Sequence, residues 1–246
     1  MRGGTSDEMH AWGHKKELDI VYTTDWDDRG TRQRFISKVC MILSIQLLFT
    51  VACVSFFLFY KPAGDWVRGQ WIMAICCSCV TMMLMFIFCC CSQYARTVPW
   101  NYIILIIFTV CEMLLLSFIT SWYKTKWVFI AMGATCGVVI FLGAFALFVP
   151  YDFTRWGTYL FGAGVALMIM GIFYAIFGLH DKIFGWIIAS FGLTLASLYL
   201  VFDIQLMTGK HKNAYDESDY VFAAISIYVD IINIFYYILM MLGLAN

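Results

Sequence analysis

Charge is what this chain has least of. Asp, Glu, Lys and Arg make up 13% of its 246 residues, against 62% hydrophobic, and the mean hydropathy is +0.80. So small a polar fraction cannot coat a soluble domain of this size, and water is not the main solvent of the protein. Cysteine is missing from every loop: Cys40, Cys53, Cys76, Cys77, Cys79, Cys111 and Cys136 fall inside apolar blocks. That excludes a disulfide framework and leaves these residues to packing. The 4 histidines are scattered and no CxxC pair occurs, so no resident metal or other cofactor is expected. No loop is long enough to hold a folded domain, so any site must be built from the spans themselves. The polar start of the chain lacks the apolar core of a cleavable signal peptide, and the first span is expected to serve as its own signal.

What is present is a set of apolar blocks, each long enough to cross a hydrocarbon core of about 30 Å at ~1.5 Å per helical residue. They are Ile36 to Tyr60, Trp71 to Tyr94, Trp100 to Trp122, Trp127 to Val149, Trp156 to Leu179, Ile183 to Met207 and Tyr220 to Leu244. The blocks lack the alternation of barrel strands, so the expected fold is all-α, a polytopic bundle of about seven transmembrane helices. Trp71, Trp100, Trp122, Trp127 and Trp156 stand at block edges, where an indole buries its ring and keeps its N–H near headgroups. Two parts follow, a polar cytoplasmic tail over residues 1–35 and a membrane domain over 36–246. The intervening stretches, Lys61 to Gln70 among them, are read as connections.

Orientation follows from Lys and Arg near the membrane. Arg29, Arg32, Arg34, Lys38, Arg96, Arg155, Lys210 and Lys212 lie on the amino-terminal side, and Lys61, Arg68, Lys124, Lys126 and Lys182 opposite. The excess places the N-terminus in the cytoplasm. Seven spans would put Asn246 on the far side, whereas six spans and a re-entrant last helix would return it. Cys89, Cys90 and Cys91 sit where the second span meets the cytoplasmic face. Thiols there are either palmitoylated or packed against neighbours.

Three acidic residues fall within spans: Glu112, Asp203 and Asp230. A carboxylate in hydrocarbon costs at least ~2.5 to 3.5 kcal/mol on insertion scales, so each should face the bundle interior, a partner or a water-filled path. No basic residue lies deep in a span to neutralise them; Lys38 and Arg96 are the nearest candidates. Asp203 and Asp230 occupy consecutive spans joined by a short turn, which can set them face to face. Counted from that turn their depths differ by ~7 Å, a gap that tilt or an uneven turn must close. Ser226, Asp230, Asn233 and Tyr237 form one helical stripe. Tyr199, one turn before Asp203, is expected to donate to it. Two such carboxyls cannot both ionise cheaply in a low dielectric, so they would share a proton and act as a proton sensor. The alternative is a pair held neutral within the bundle with no transport role.

The stretch Phe202 to Phe235, FDIQLMTGKHKNAYDESDYVFAAISIYVDIINIF, closely resembles the carboxy-terminal signature of the transmembrane BAX-inhibitor-motif family, in particular its Lifeguard branch. Phe35 to Thr50, FISKVCMILSIQLLFT, is similar to that branch's first span, and Pro99 to Ser117 has its pattern of Pro, Asn and a later Glu. The resemblance implies a seven-helix bundle with a central last helix, residing in endomembranes such as the endoplasmic reticulum or Golgi. It implies a Ca²⁺ leak that lowers store Ca²⁺ and suppresses apoptosis, with Ca²⁺ as permeant ion and apoptosis regulators as candidate partners. The family's paired aspartates fall on Asp203 and Asp230, which would hold Ca²⁺ transiently, and Glu112 matches the acidic residue of its third span. Where some relatives carry an Arg that latches the pair, this chain has Ala95, with Arg96 beside it.

Other classes fit less well. Intramembrane aspartyl proteases also place two aspartates on adjacent spans, but their Gly-x-Gly-Asp motif is replaced here by Tyr228-Val229-Asp230. No enzymatic activity is expected. A receptor would need longer loops, and no nucleic-acid partner is expected. A non-conducting protein that binds other membrane proteins stays open as the second reading.

Overall fold

The computed structural model describes the backbone of residues 6–90, 97, 99–177, 182–209 and 215–245, and side chains from residue 30 onward apart from 88–90, 175–177 and 217. Lipid offers no partner for a backbone N–H or C=O, so each apolar block must satisfy its own backbone, and each is a helix. The helices are α1 (Ser6–Phe59), α2 (Lys61–Gly69), α3 (Trp71–Cys90), α4 (Trp100–Thr120), α5 (Thr125–Phe148), α6 (Gly157–Phe177), α7 (Lys182–Thr208) and α8 (Tyr220–Leu244). Short 3-10 turns cover Phe153–Trp156 and Glu217–Asp219. Among the described residues six helices are long and apolar enough to cross a bilayer, and α2 with α3, bent by 73° between Gly69 and Trp71, makes a seventh if the pair is one broken span. The architecture is a polytopic helical bundle.

Two boundaries differ from the sequence reading. The polar stretch before the first span is helical from Ser6 and continuous with α1. The connection from Lys61 to Gln70 is the separate helix α2, which Pro62 can open because a first-turn N–H has no helical partner to lose. Val67 is its buried anchor, and the Arg68 guanidinium lies 4.3 Å from the Trp122 ring centroid. α2 thus covers the end of the bundle opposite Gly30.

Helix α8 is the axis of the assembly. It packs on α7, α1, α5 and α4, and half of its most apolar stretch is buried, against 6% for the span containing α6. One face, through Ala223, Ala224, Ile227 and Ile234, meets Phe35 and Val39 of α1 and Ala196 and Leu200 of α7. Another sets Val221, Ile225 and Tyr228 against Leu105 and Phe108 of α4, and Phe235 and Leu239 reach Val128 and Ala131 of α5. Small residues at these contacts matter because helices in lipid associate through close packing rather than water exclusion. At Gly192 the Tyr237 ring lies directly on the α7 backbone, where any Cβ would collide with it. The far end of α8 reaches the α4–α5 connection, since the Tyr123 ring packs on Gly243. An unbroken helix from Tyr220 to Leu244 therefore crosses the whole bundle, which removes the re-entrant alternative.

Hydroxyls inside the spans are mostly satisfied locally. Thr50, Thr109, Ser117, Thr120 and Thr135 each donate to the carbonyl four residues earlier at 2.7 to 2.9 Å. The cysteines correct the packing expectation. Cys77 is buried, but Cys40, Cys76, Cys79 and Cys136 are exposed on the outer surface of the bundle. A thiol is apolar enough to face lipid without a partner. The side chains of Cys89, Cys90 and Cys91 lie outside the described residues.

Candidate functional site

The α7–α8 hairpin carries the two aspartates. After Thr208 the chain turns through Gly209, whose φ of +63° is left-handed and favours glycine. It then comes back so that the Tyr215 N–H donates to the Leu206 carbonyl at 3.3 Å. Asp216 and Asp219 exchange side-chain and backbone hydrogen bonds in a capping box, and α8 starts at Tyr220. Asp203 is five residues before the end of α7 and Asp230 ten residues into α8. At ~1.5 Å per residue, α8 begins about 7 Å further out than α7 ends, and this uneven turn closes the depth gap.

The two carboxyls stand within hydrogen-bonding reach of each other. Both residues are 6% exposed, so water has almost no access to the pair. The Tyr215 hydroxyl donates to Asp203 Oδ1 at 3.0 Å. Asp230 Oδ2 is buried with no hydrogen-bond partner. Burial, and then the Asp203 charge beside it, push the Tyr215 phenol well above the ordinary tyrosine range. It therefore stays a neutral donor at every physiological pH. Arg32 of α1 completes the closure: its Nη1 donates to the Tyr215 carbonyl at 2.9 Å. Its guanidinium packs so closely on Gly209 that a Cβ there would sit 2.8 Å from Nε.

The positions of the residues singled out from sequence can be compared one by one. Ser226, Asp230 and Tyr237 turn toward α7 and the link that follows it, and Asn233 is half-buried on the same helix. Tyr199 does not donate to Asp203. Its hydroxyl donates to the Leu160 carbonyl of α6 at 2.8 Å, in the space left by Gly164. Helical side chains lean toward the N-terminus, so Tyr199 points away from a carboxylate one turn later. The donor is Tyr215 instead, an aromatic residue within a polar link, and that contrast is the signal by which it could have been found. Nor is Lys38 the inward-reaching cation: its Nζ lies 5.5 Å from the Tyr220 ring centroid. Arg96 lies outside the described residues. Glu112 is half-buried on α4, and the hydroxyl of Thr81 on the neighbouring α3 donates to its own helix, to the Ser78 carbonyl at 3.1 Å.

Two further features position the hairpin. Gln205 is 1% exposed; its Oε1 accepts from the Phe153 N–H at 2.8 Å and its Nε2 donates to the Tyr151 carbonyl at 2.9 Å. It thereby ties α7 to the α5–α6 connection two residues from Asp203. A separate apolar cavity of about 270 Å³ lies between α1, α5 and α8, lined by Val51, Thr135, Ile140 and Ile231 among others and by neither aspartate.

A family model described as inhibitor of apoptosis-promoting Bax1 matches residues 32–246, the whole bundle. The chain belongs to this family. Among BAX-inhibitor-motif relatives it is 35% identical over 224 residues to the human protein lifeguard 3, covering 90% of this chain and 72% of that one. Mouse lifeguard 3 is 35% identical over 221 residues, covering 89% and 72%. The Arabidopsis thaliana protein LIFEGUARD 4 is 29% identical over 224 residues, covering 87% and 86%. The matched region of the BAX-inhibitor-motif family includes both helices of the aspartate hairpin and the residues that close over it.

Proposed function

We propose that this protein is a pH-sensitive cation leak, chiefly for Ca²⁺, in an endomembrane with its N-terminus cytoplasmic. By limiting store Ca²⁺ it would suppress apoptosis, in keeping with the name of the matched family. The observation that carries the reading is the buried pair Asp203 and Asp230, with one oxygen unpartnered and a tyrosine clamped over the other carboxyl. A single shared proton ties α7 to α8 through a short O–H···O⁻ bond and closes the path. A change in proton occupancy frees the helices, and the carboxylates then offer hard oxygen ligands that suit Ca²⁺. Coupling of this kind needs only a few kcal/mol between two packings, at about 1.4 kcal/mol per tenfold change in population. Glu112 lines the path further in. Such a protein needs no enzymatic activity and no resident cofactor.

The test is Ca²⁺ efflux from proteoliposomes holding the full chain at about pH 6 and pH 8. Efflux that differs between the two and becomes pH-independent in Asp203→Asn and Asp230→Asn supports the leak. No efflux above empty vesicles at either pH rejects it. A second reading, a non-conducting partner of other membrane proteins, has one observation in its favour. The span containing α6 is only 6% buried and touches little of the bundle besides α7, so most of its surface is free for another helix. The same vesicles separate the two, because this reading requires no flux.

A further inference from the structure

Helix α8 has a second polar cluster on the side facing α1 and α4, and the fate of each proton in it can be followed. Thr109 spends its hydroxyl proton on the Leu105 carbonyl at 2.7 Å. It can therefore only accept from Gln46, whose Nε2 donates to Thr109 Oγ1 at 2.9 Å. That fixes the amide orientation of Gln46 and turns its oxygen away from Thr109. Thr50 donates to the Gln46 carbonyl at 2.8 Å, so the 2.8 Å contact between Thr50 and Tyr228 must use the Tyr228 proton. Every hydroxyl donor in the cluster is then committed. What remains besides the second Gln46 amide N–H is acceptors: Gln46 Oε1, with further lone pairs on Thr50, Thr109 and Tyr228.

Gln46 is 4% exposed and Tyr228 fully buried. Among the described residues, the buried side-chain polar atoms without any partner are Gln46 Oε1 and Asp230 Oδ2. Both are acceptors, and they flank the same helix, one on each side of α8. An orphaned buried acceptor costs about 1 to 3 kcal/mol unless a donor or a cation meets it. Glu112 is one helical turn from Thr109, on the same side of α4. Neutral oxygens from α1, α4 and α8 and one carboxylate thus converge at mid-span. Among the described residues no group of three or more His, Cys, Asp or Glu side chains could hold a metal, so a tight metal centre is absent from this face.

We infer that Gln46, with Glu112 and the oxygens of Thr50, Thr109 and Tyr228, forms a second cation-binding station, weak and oxygen-only, across α8 from the aspartate pair. This rests on the cation-leak reading and adds a site to it. A lining whose one orphaned atom is an amide oxygen, beside further oxygen lone pairs, favours a divalent cation with hard-ligand preference over an anion. A low count of formal charge keeps the affinity low, as a permeating ion requires.

The test is equilibrium binding of ⁴⁵Ca²⁺ to the purified full chain in detergent, in an Asp203→Asn/Asp230→Asn background that silences the pair. Gln46→Leu should weaken the remaining binding by about tenfold or more, and Gln46→Glu, which adds a charge at the same place, should strengthen it by a similar factor. Melting in the same detergent checks that each variant folds; Gln46→Glu keeps the volume and decides the matter if Gln46→Leu unfolds. Binding unchanged by Gln46→Glu would overturn the station and leave Gln46 Oε1 to water. Because binding is read without flux, a chain that binds Ca²⁺ here but leaks none would reject the leak and keep the site.

Discussion

The two sides of helix α8 solve the same problem with different chemistry. Toward α7, two carboxyls face each other with one tyrosine donor, so the arrangement depends on how many protons the pair holds. Toward α1 and α4, a neutral amide and three hydroxyls interlock, and none of these four groups is a carboxyl. The difference teaches that a membrane interior can store polarity either as a switch or as a fixed framework. The composition of each cluster decides which it is.

The largest effects should come from forcing the switch side apart. Gly192→Leu places a side chain where the Tyr237 ring now lies, and overpacking of this kind costs about 1 to 3 kcal/mol or more. Melting in detergent should fall by several degrees or the fold should be lost, whereas Gly162→Leu, with nothing within 4 Å of its Cβ position, should leave melting unchanged. Asp203→Asn and Asp230→Asn should each abolish the pH response of efflux, and the double variant should add little, because the pair acts as a unit. If both single variants kept the response of the intact protein, the switch would not lie there.

Tyr215→Phe sharpens the contrast between switch and clamp. A phenol raised above its ordinary value contributes fully below about pH 10 and is lost only as pH rises through the still higher folded value. Between pH 6 and 8 it therefore stays a neutral donor. The variant should raise efflux by about three- to tenfold, the loss of roughly one net hydrogen bond, while a response to pH persists. Loss of the pH response would make Tyr215 indispensable to the proton sensor rather than a clamp over it.

The smallest pair of effects tests the framework side. Thr50→Val strands the buried Tyr228 hydroxyl and should cost about 1 to 3 kcal/mol of stability. Thr135→Val removes a hydroxyl bonded only to its own helix and should cost under about 1 kcal/mol. Equal melting of the two would show that Tyr228 finds another partner.

Much of this was legible in the chain before any helix was placed. Scarce charge and seven apolar blocks determine a helical bundle, because backbone groups in lipid have no other way to be satisfied. Asp203 and Asp230 stand out for the same reason: a carboxylate in hydrocarbon must find protein. Periodicity also put Ser226, Asp230 and Tyr237 on one face. Tertiary structure alone decided the rest. Tyr215 rather than Tyr199 meets Asp203 because Tyr215 lies between helices, where there is no period to read, and its N–H is held to the Leu206 carbonyl beside the pair. Gln46 and Thr50 read as two polar residues in an apolar span until α4 and α8 bring Thr109 and Tyr228 against them. A helix dictates which of its residues share a face, but which neighbour that face meets, and which oxygen is left without a donor, depends on the packing of all the helices together.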